Sequence, residues 1–250
     1  MTMNPSSANH SESPITVHLP QPKSSETPAA WQFVAPFAVF LIGTQAESYA
    51  VDANGKVLGE TYAMIYSLKI VAVLIAMFIC RKSLADLRPL PNIRLICVAI
   101  LTGAFVTAFW IGLDGLYPPL PESMGKRSAF DPTSLDGLWQ ILFIVFRSLG
   151  LVIVVPIIEE LFTRDFLLRF VTEPDWQTIP AWRFNNTAAL VSTAIFVAGH
   201  PEWLPALLCG ILWIWLLRWS KSVSTLVISH AVANLGLGIY SVVTGDWHYL

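Results

Sequence analysis

The chain has 250 residues, of which 54% are hydrophobic and only 13% charged, and a formal net charge of -2. Its mean hydropathy is +0.59. A soluble domain carries about 25% charge, so this composition excludes one and points to a polytopic membrane protein; the near-neutral charge excludes a nucleic-acid-binding surface built on basic clusters.

Residues 1–29 are rich in Ser, Pro, Thr and Asn and contain no apolar run. They read as a disordered tail. No basic segment followed by an apolar one stands at the start, so no cleaved signal peptide is expected. Seven apolar runs follow, at about 30–46, 62–80, 95–113, 137–158, 187–200, 203–219 and 222–242. Each is near the roughly 20 residues that cross a bilayer, except the short fifth and sixth. The fourth does not stop at 158: Phe162, Phe166, Leu167, Leu168 and Phe170 continue a helical pattern to about Val171. That predicts one helix of about 35 residues, near 50 Å long, bent at Gly150 or, more strongly, at Pro156. Pro201 should end or kink the helix that carries His200. The expected fold is an all-α transmembrane bundle of about 7–8 spans around a polar intramembrane cavity.

Basic residues cluster in alternate loops: Arg81, Lys82, Arg88 and Arg94, then Arg169 and Arg183, then Arg218 and Lys221. The opposite loops are acidic or mixed, with Glu47, Asp52 and Glu60, then Asp114, Glu122, Lys126, Arg127, Asp131 and Asp136. The positive-inside rule then places the N-terminus in and the C-terminus out. Trp31, Trp203, Trp219 and Trp247 fall near span ends, where an interfacial belt would hold them. Cys80, Cys97 and Cys209 show no metal or redox spacing and read as core or lipid-facing residues. Lys69, within a span, reads as a snorkelling side chain, and Arg147 as an interfacial or internally paired one.

Ionisable groups inside spans are costly and by default mark function. Val155-Pro-Ile-Ile-Glu-Glu-Leu-Phe-Thr-Arg164 puts two acids and a base in an apolar run. Glu160 and Arg164 are four apart, acid first, the favoured helical ion pair. Glu159 is rotated away by about 100° and has no such local partner. Phe196 precedes His200 by four residues, and His230 shares a helical face with Asn234. Counted at 1.5 Å per residue from the helix ends, Glu159, His200, His230 and Asn234 lie about 12–20 Å deep, as one shared chamber requires. A desolvated carboxylate can act as general base on water. A histidine beside it can hold that water, and a His and an Asn one turn apart can both donate to an oxyanion. These parts suit hydrolysis of an acyl bond. No serine-nucleophile, zinc-helix or GxGD motif competes.

Glu159-Glu160-x-x-x-Arg164, Phe196-x-x-x-His200 and His230-x-x-x-Asn234, in this order on membrane helices, resemble the three motifs of the CPBP intramembrane proteases. That family includes the CAAX prenyl endopeptidases of the Ras-converting type, bacteriocin-processing proteins and abortive-infection proteins. The resemblance runs from about Leu138 to Val242. Thr244-Gly-Asp-Trp-His248 and Trp182-Arg-Phe184 are further similar to the CAAX-protease-related branch found beside bacterial exosortase systems. The resemblance implies an all-helical, multi-pass protein of a bacterial inner membrane and a glutamic-type endopeptidase. It would act on a peptide or protein substrate, prenylated or membrane-embedded. It implies that Glu159 activates water with His200, that His230 and Asn234 stabilise the oxyanion, and that Glu160, Arg164 and Phe196 support them. The division expected is a tail over 1–29, membrane helices over 30–136, a catalytic core over 137–242 and a tail over 243–250. Many relatives have Gly after the motif arginine; here it is Asp165.

Three alternatives stay open. Glu159, His200 and His230 could bind zinc with one open position, although the metal-free version, with no cofactor, is the reading taken. Membrane Glu and His chains also serve proton-coupled transporters, but the halves of the chain show no internal repeat. A non-catalytic scaffold would keep the same cluster for packing.

Overall fold

The computed structural model describes residues 27–52, 56–120 and 130–249. Most of the expected N-terminal tail, and the loop residues Glu122, Lys126 and Arg127, lie outside the described residues. The described chain is all-helical apart from short turns and one isolated bridge between Val51 and Val57. Its main helices are α1 (Trp31–Ala46), α2 (Gly59–Ile79), α3 (Ile93–Leu113), α4 (Gly137–Thr172), α5 (Asn186–Ala198), α6 (Trp203–Ser220) and α7 (Val223–Thr244). They coincide with the seven apolar runs. Five of them, α2, α3, α4, α6 and α7, are long and apolar enough to cross a membrane. The short ones are α1 and α5, with 16 and 13 residues; α6, expected to be short, reaches 18. Phe78, Leu101 and Val243 are among many large apolar side chains left exposed, which a lipid environment tolerates and water does not. The protein is an integral, multi-pass membrane protein.

Local chemistry sets the helix ends. The side chains of Asn92, Asn185 and Ser222 each accept a backbone N–H three residues on, capping α3, α5 and α7. Gly245, at φ 74°, takes the left-handed conformation that closes α7. Gly199 ends α5 one residue before His200, so His200 stands on the turn that Pro201 completes rather than within a helix. This corrects the placement of His200 on a helix and agrees with the bias of the residue before proline.

α4 is one helix of 36 residues, as its pattern predicts. The departure from regularity is not a simple proline kink. Two π-helical turns, Gly150–Val154 and Leu161–Phe166, interrupt it. In the first, the N–H of Val155 bonds to the carbonyl of Gly150, and Pro156 has no N–H to give. The carbonyl of Leu151 is satisfied instead by the side-chain amide of Asn234 on α7, at 2.8 Å.

In a membrane, helices associate through close contact of small residues and interhelical hydrogen bonds. α3 and α7 cross in this way. A Cβ on Gly103 would strike the carbonyl of Ser229 and come within 2.7 Å of Val232 Cβ, and one on Gly236 would strike Thr107. Thr107 Oγ1 donates to the carbonyl of Ala233 at 3.1 Å. Gly150 gives the same closeness between α4 and α2, where a Cβ would meet the Tyr66 hydroxyl. Ser192 on α5 donates to the carbonyl of Thr163 at 2.7 Å. At one end of α4, Arg169 pairs with Asp165 at 2.7 Å and with Asp86 at 2.8 Å. Asp165, the residue that departs from the motif pattern, thus joins the helix to the turn after α2.

Gly103→Ala should force α3 and α7 apart, because the obstructing atom is backbone and cannot rotate away. Overpacking of this kind costs about 1–3 kcal/mol. A lowered midpoint of thermal unfolding in detergent, with Gly112→Ala unchanged as the control facing open space, is the expected result.

Candidate active site

The three motif segments converge. α4 supplies Glu159, Glu160 and Arg164, the α5–α6 turn supplies His200, and α7 supplies His230 and Asn234. Glu159, His200, His230 and Asn234 line one cavity of about 570 Å³. Glu47, Tyr62, Tyr66, Lys69 and Arg147 line the same cavity. A smaller cavity of about 30 Å³ adjoins it at His200, His230 and Asn234 and is closed by Trp110, Trp213 and Tyr249. Tyr249, near the chain end, is buried and donates to Asp114 at 3.1 Å.

The adjacent acids have different surroundings, as helical rotation predicts. Glu160 is fully buried. Its Oε1 lies 3.0 Å from His230 Nδ1 and its Oε2 lies 3.8 Å from Arg164 Nε. The favoured local ion pair with Arg164 is therefore present but loose. The shorter contact is to a histidine 70 residues on. Glu159 faces the cavity, with its Oε2 3.9 Å from His230 Nε2. The neighbour that the local helical pattern did not supply is thus a histidine of another helix.

Arg164, also fully buried, donates to the Thr163 hydroxyl and lies against two aromatic faces. Its guanidinium carbon lies 4.2 Å from the centre of the Phe196 ring and 5.8 Å from that of Trp213. Phe196 also packs on His200 at 4.4 Å between centroids. Trp213 stacks on His230 at 4.5 Å and donates to Ser229 at 3.1 Å.

Hydrogen bonds constrain the proton positions. His200 Nδ1 lies 2.7 Å from the carbonyl of Phe196, and a carbonyl only accepts, so Nδ1 carries a proton. In the neutral ring, Nε2 is then a lone pair able to accept from water. His230 Nδ1 faces a carboxylate in the same way. Its Nε2 can donate only when the ring carries both protons. Asn234 spends one amide N–H on Leu151 and keeps a second.

Among the described residues, no three His, Cys, Asp or Glu side chains are grouped closely enough to share a metal ion. Lys69 does not snorkel: it is buried, forms an ion pair with Glu47 and lies 4.3 Å over the Tyr66 ring. Lys69 and Arg147 carried the sequence signal of an intramembrane charge, but Trp110, Trp213 and Tyr249 carried none that separated them from other aromatic residues.

Glu160→Gln leaves the Arg164 cation buried without a counter-charge. Breaking a buried pair this way costs roughly 3–5 kcal/mol. Glu159→Gln, at the cavity wall, should leave the fold nearly intact. Unfolding of the two variants in detergent should therefore separate them, with only the former strongly destabilised.

Residues 139–236 match the family model described as type II CAAX prenyl endopeptidase Rce1-like. No curated protein and no solved structure matches the chain. The matched segment contains every residue singled out from the motifs, while the chamber also takes lining residues from before it, among them Glu47, Tyr66 and Lys69. The match over residues 139–236 is consistent with the CPBP/CAAX-protease family, to whose CAAX prenyl endopeptidases this segment is similar.

Proposed function

We propose that this protein hydrolyses a peptide bond within the membrane by means of water activated by Glu159, without a metal ion. The observation that carries the reading is the unlike setting of two adjacent carboxylates. Glu160 is sequestered against His230 and Arg164, whereas Glu159 faces a cavity wide enough for a peptide segment. One acid holds the machinery; the other meets the reactants.

In the proposed reaction, water sits between the Glu159 carboxylate and the Nε2 lone pair of His200. Glu159 takes a proton as the water oxygen adds to the scissile carbonyl. The second N–H of Asn234, and the Nε2–H of a doubly protonated His230, donate to the developing oxyanion. The intermediate collapses as Glu159 returns its proton to the leaving amine, which restores the enzyme and balances the step. Phe196 and Trp213 keep Arg164 and His230 in place. The metal-free form is taken because the resemblance to the CAAX branch implies a glutamate protease and no pair of candidate ligands has zinc-helix spacing. The substrate is proposed to be a lipid-modified or membrane-embedded peptide, since the chamber lies among lipid-facing helices. A bacterial plasma membrane with the basic loops inside is proposed as the location, on the family resemblance and the loop charges.

The test is cleavage of a quenched membrane-peptide library by purified protein in detergent. Glu159→Gln should lower the rate by about 10²–10⁴-fold, and a strong chelator should leave the wild-type rate unchanged. Loss on chelation with recovery on added zinc would overturn the metal-free mechanism. Unimpaired cleavage by Glu159→Gln would remove its role as base.

A further inference from the structure

Of the charged side chains of the cavity that the mechanism leaves unused, Glu47 and Lys69 pair with each other, and Arg147 remains. Arg147 lies in the first third of α4, partly buried, with its guanidinium carbon 4.7 Å from the centre of the Tyr66 ring. Its Nε is buried and hydrogen-bonds to nothing among the described residues. The other acids and bases of the cavity are matched. Glu47 pairs with Lys69, and Glu159 stands beside His230. Arg147 also lines a second cavity of about 470 Å³ between α4 and α7, bordered by Ile144, Leu151, Leu235, Ile239 and Val242, where no carboxylate of the described residues lines it. Among the described residues it alone lines both cavities.

Tyr66 and, more remotely, Glu47 act on this guanidinium, but no carboxylate among the described residues is in ion-pair contact with it; inside a membrane such a cation usually faces its partner or a ligand. The planar fork of arginine suits two-point recognition of a carboxylate. We infer that Arg147 is a specificity-determining residue that binds a carboxylate of the peptide substrate, either its C-terminus or an acidic side chain, while the scissile bond lies against Glu159. The cavity, at about 570 Å³, is within the range of pockets that hold a small ligand or a short peptide segment. This inference rests on the peptidase reading only in taking the occupant to be a peptide.

Affinity, rather than cleavage, tests it. The probe is a decanoyl-capped Val-Ile-Ala-Ala-Leu peptide made as the free acid, as the C-terminal amide, and as an amide with Glu in the last place. Binding to the full chain in detergent is followed by thermophoresis, with wild type and with Glu159→Gln, which does not consume the probe. One of the two acidic forms should bind about ten- to a hundredfold more tightly than the neutral amide, the range of a charge-assisted bond. Which one it is tells terminus from side chain. Arg147→Gln should abolish that preference, and Arg147→Lys should retain part of it. Equal binding of the three forms to wild type, no binding of either acid, or a preference that survives in Arg147→Gln would overturn the inference. If phosphatidylglycerol stabilises wild type but not Arg147→Gln while the peptides bind alike, the guanidinium serves a lipid phosphate and the inference also falls. Should Arg147→Gln fail to fold, the wild-type comparison of acid and amide and the Arg147→Lys variant still decide. Loss of the water-activating role of Glu159 would be seen in cleavage and would not alter these affinities.

Discussion

The centre of this bundle depends on the charge of Glu160 being met inside the protein. A carboxylate fully removed from water and lipid alike needs hydrogen bonds and cations at contact distance. Here His230 reaches it from α7 and Arg164 from the next turn of α4. Arg164 in turn lies over Phe196 of α5 and near Trp213 of α6, and Trp213 stacks on His230. One buried charge thereby draws four helices to a common point. Such pairs seldom add net stability over an apolar core; what this one supplies is position, since it fixes the imidazole plane and leaves the neighbouring Glu159 facing the cavity.

The second requirement is a local change of helical register. A regular α-helix through Pro156 would leave one carbonyl unsatisfied in a medium that offers no donor. The π turn at Gly150–Val154 shifts the hydrogen bonds around the proline, and Asn234 answers the Leu151 carbonyl from the facing helix. The amide is held there with one N–H spent and the other still to offer. π turns recur at functional sites, and the reason is visible in this chain. The same backbone irregularity that accommodates the proline orients a side chain of the chamber.

The cavity gathers charge of both signs. Glu159 and the histidines line it together with Lys69, which pairs with Glu47, and with Arg147, which has no ion pair among the described residues. In a low-dielectric surrounding such charges act over longer distances than they would in water.

The sequence by itself determined the all-helical, multi-pass class, because the length and period of an apolar run are properties of one segment. It also determined which residues could form the site. Glu160 and Arg164 are neighbours by helical spacing, and His230 and Asn234 share a face for the same reason. It did not determine that His230, 70 residues away, is the closer partner of Glu160, that α4 changes register twice, or that His200 stands beyond a helix end. Nor did it show Lys69 in a buried pair, or Trp110, Trp213 and Tyr249 closing the chamber. Those outcomes rest on which faces the helices turn to one another. The crossings that decide this, at Gly103 with Ser229 and Gly236 with Thr107, join residues more than a hundred positions apart. Local spacing is a property of one helix; the chamber is a property of contacts between helices, and only the tertiary structure decided them.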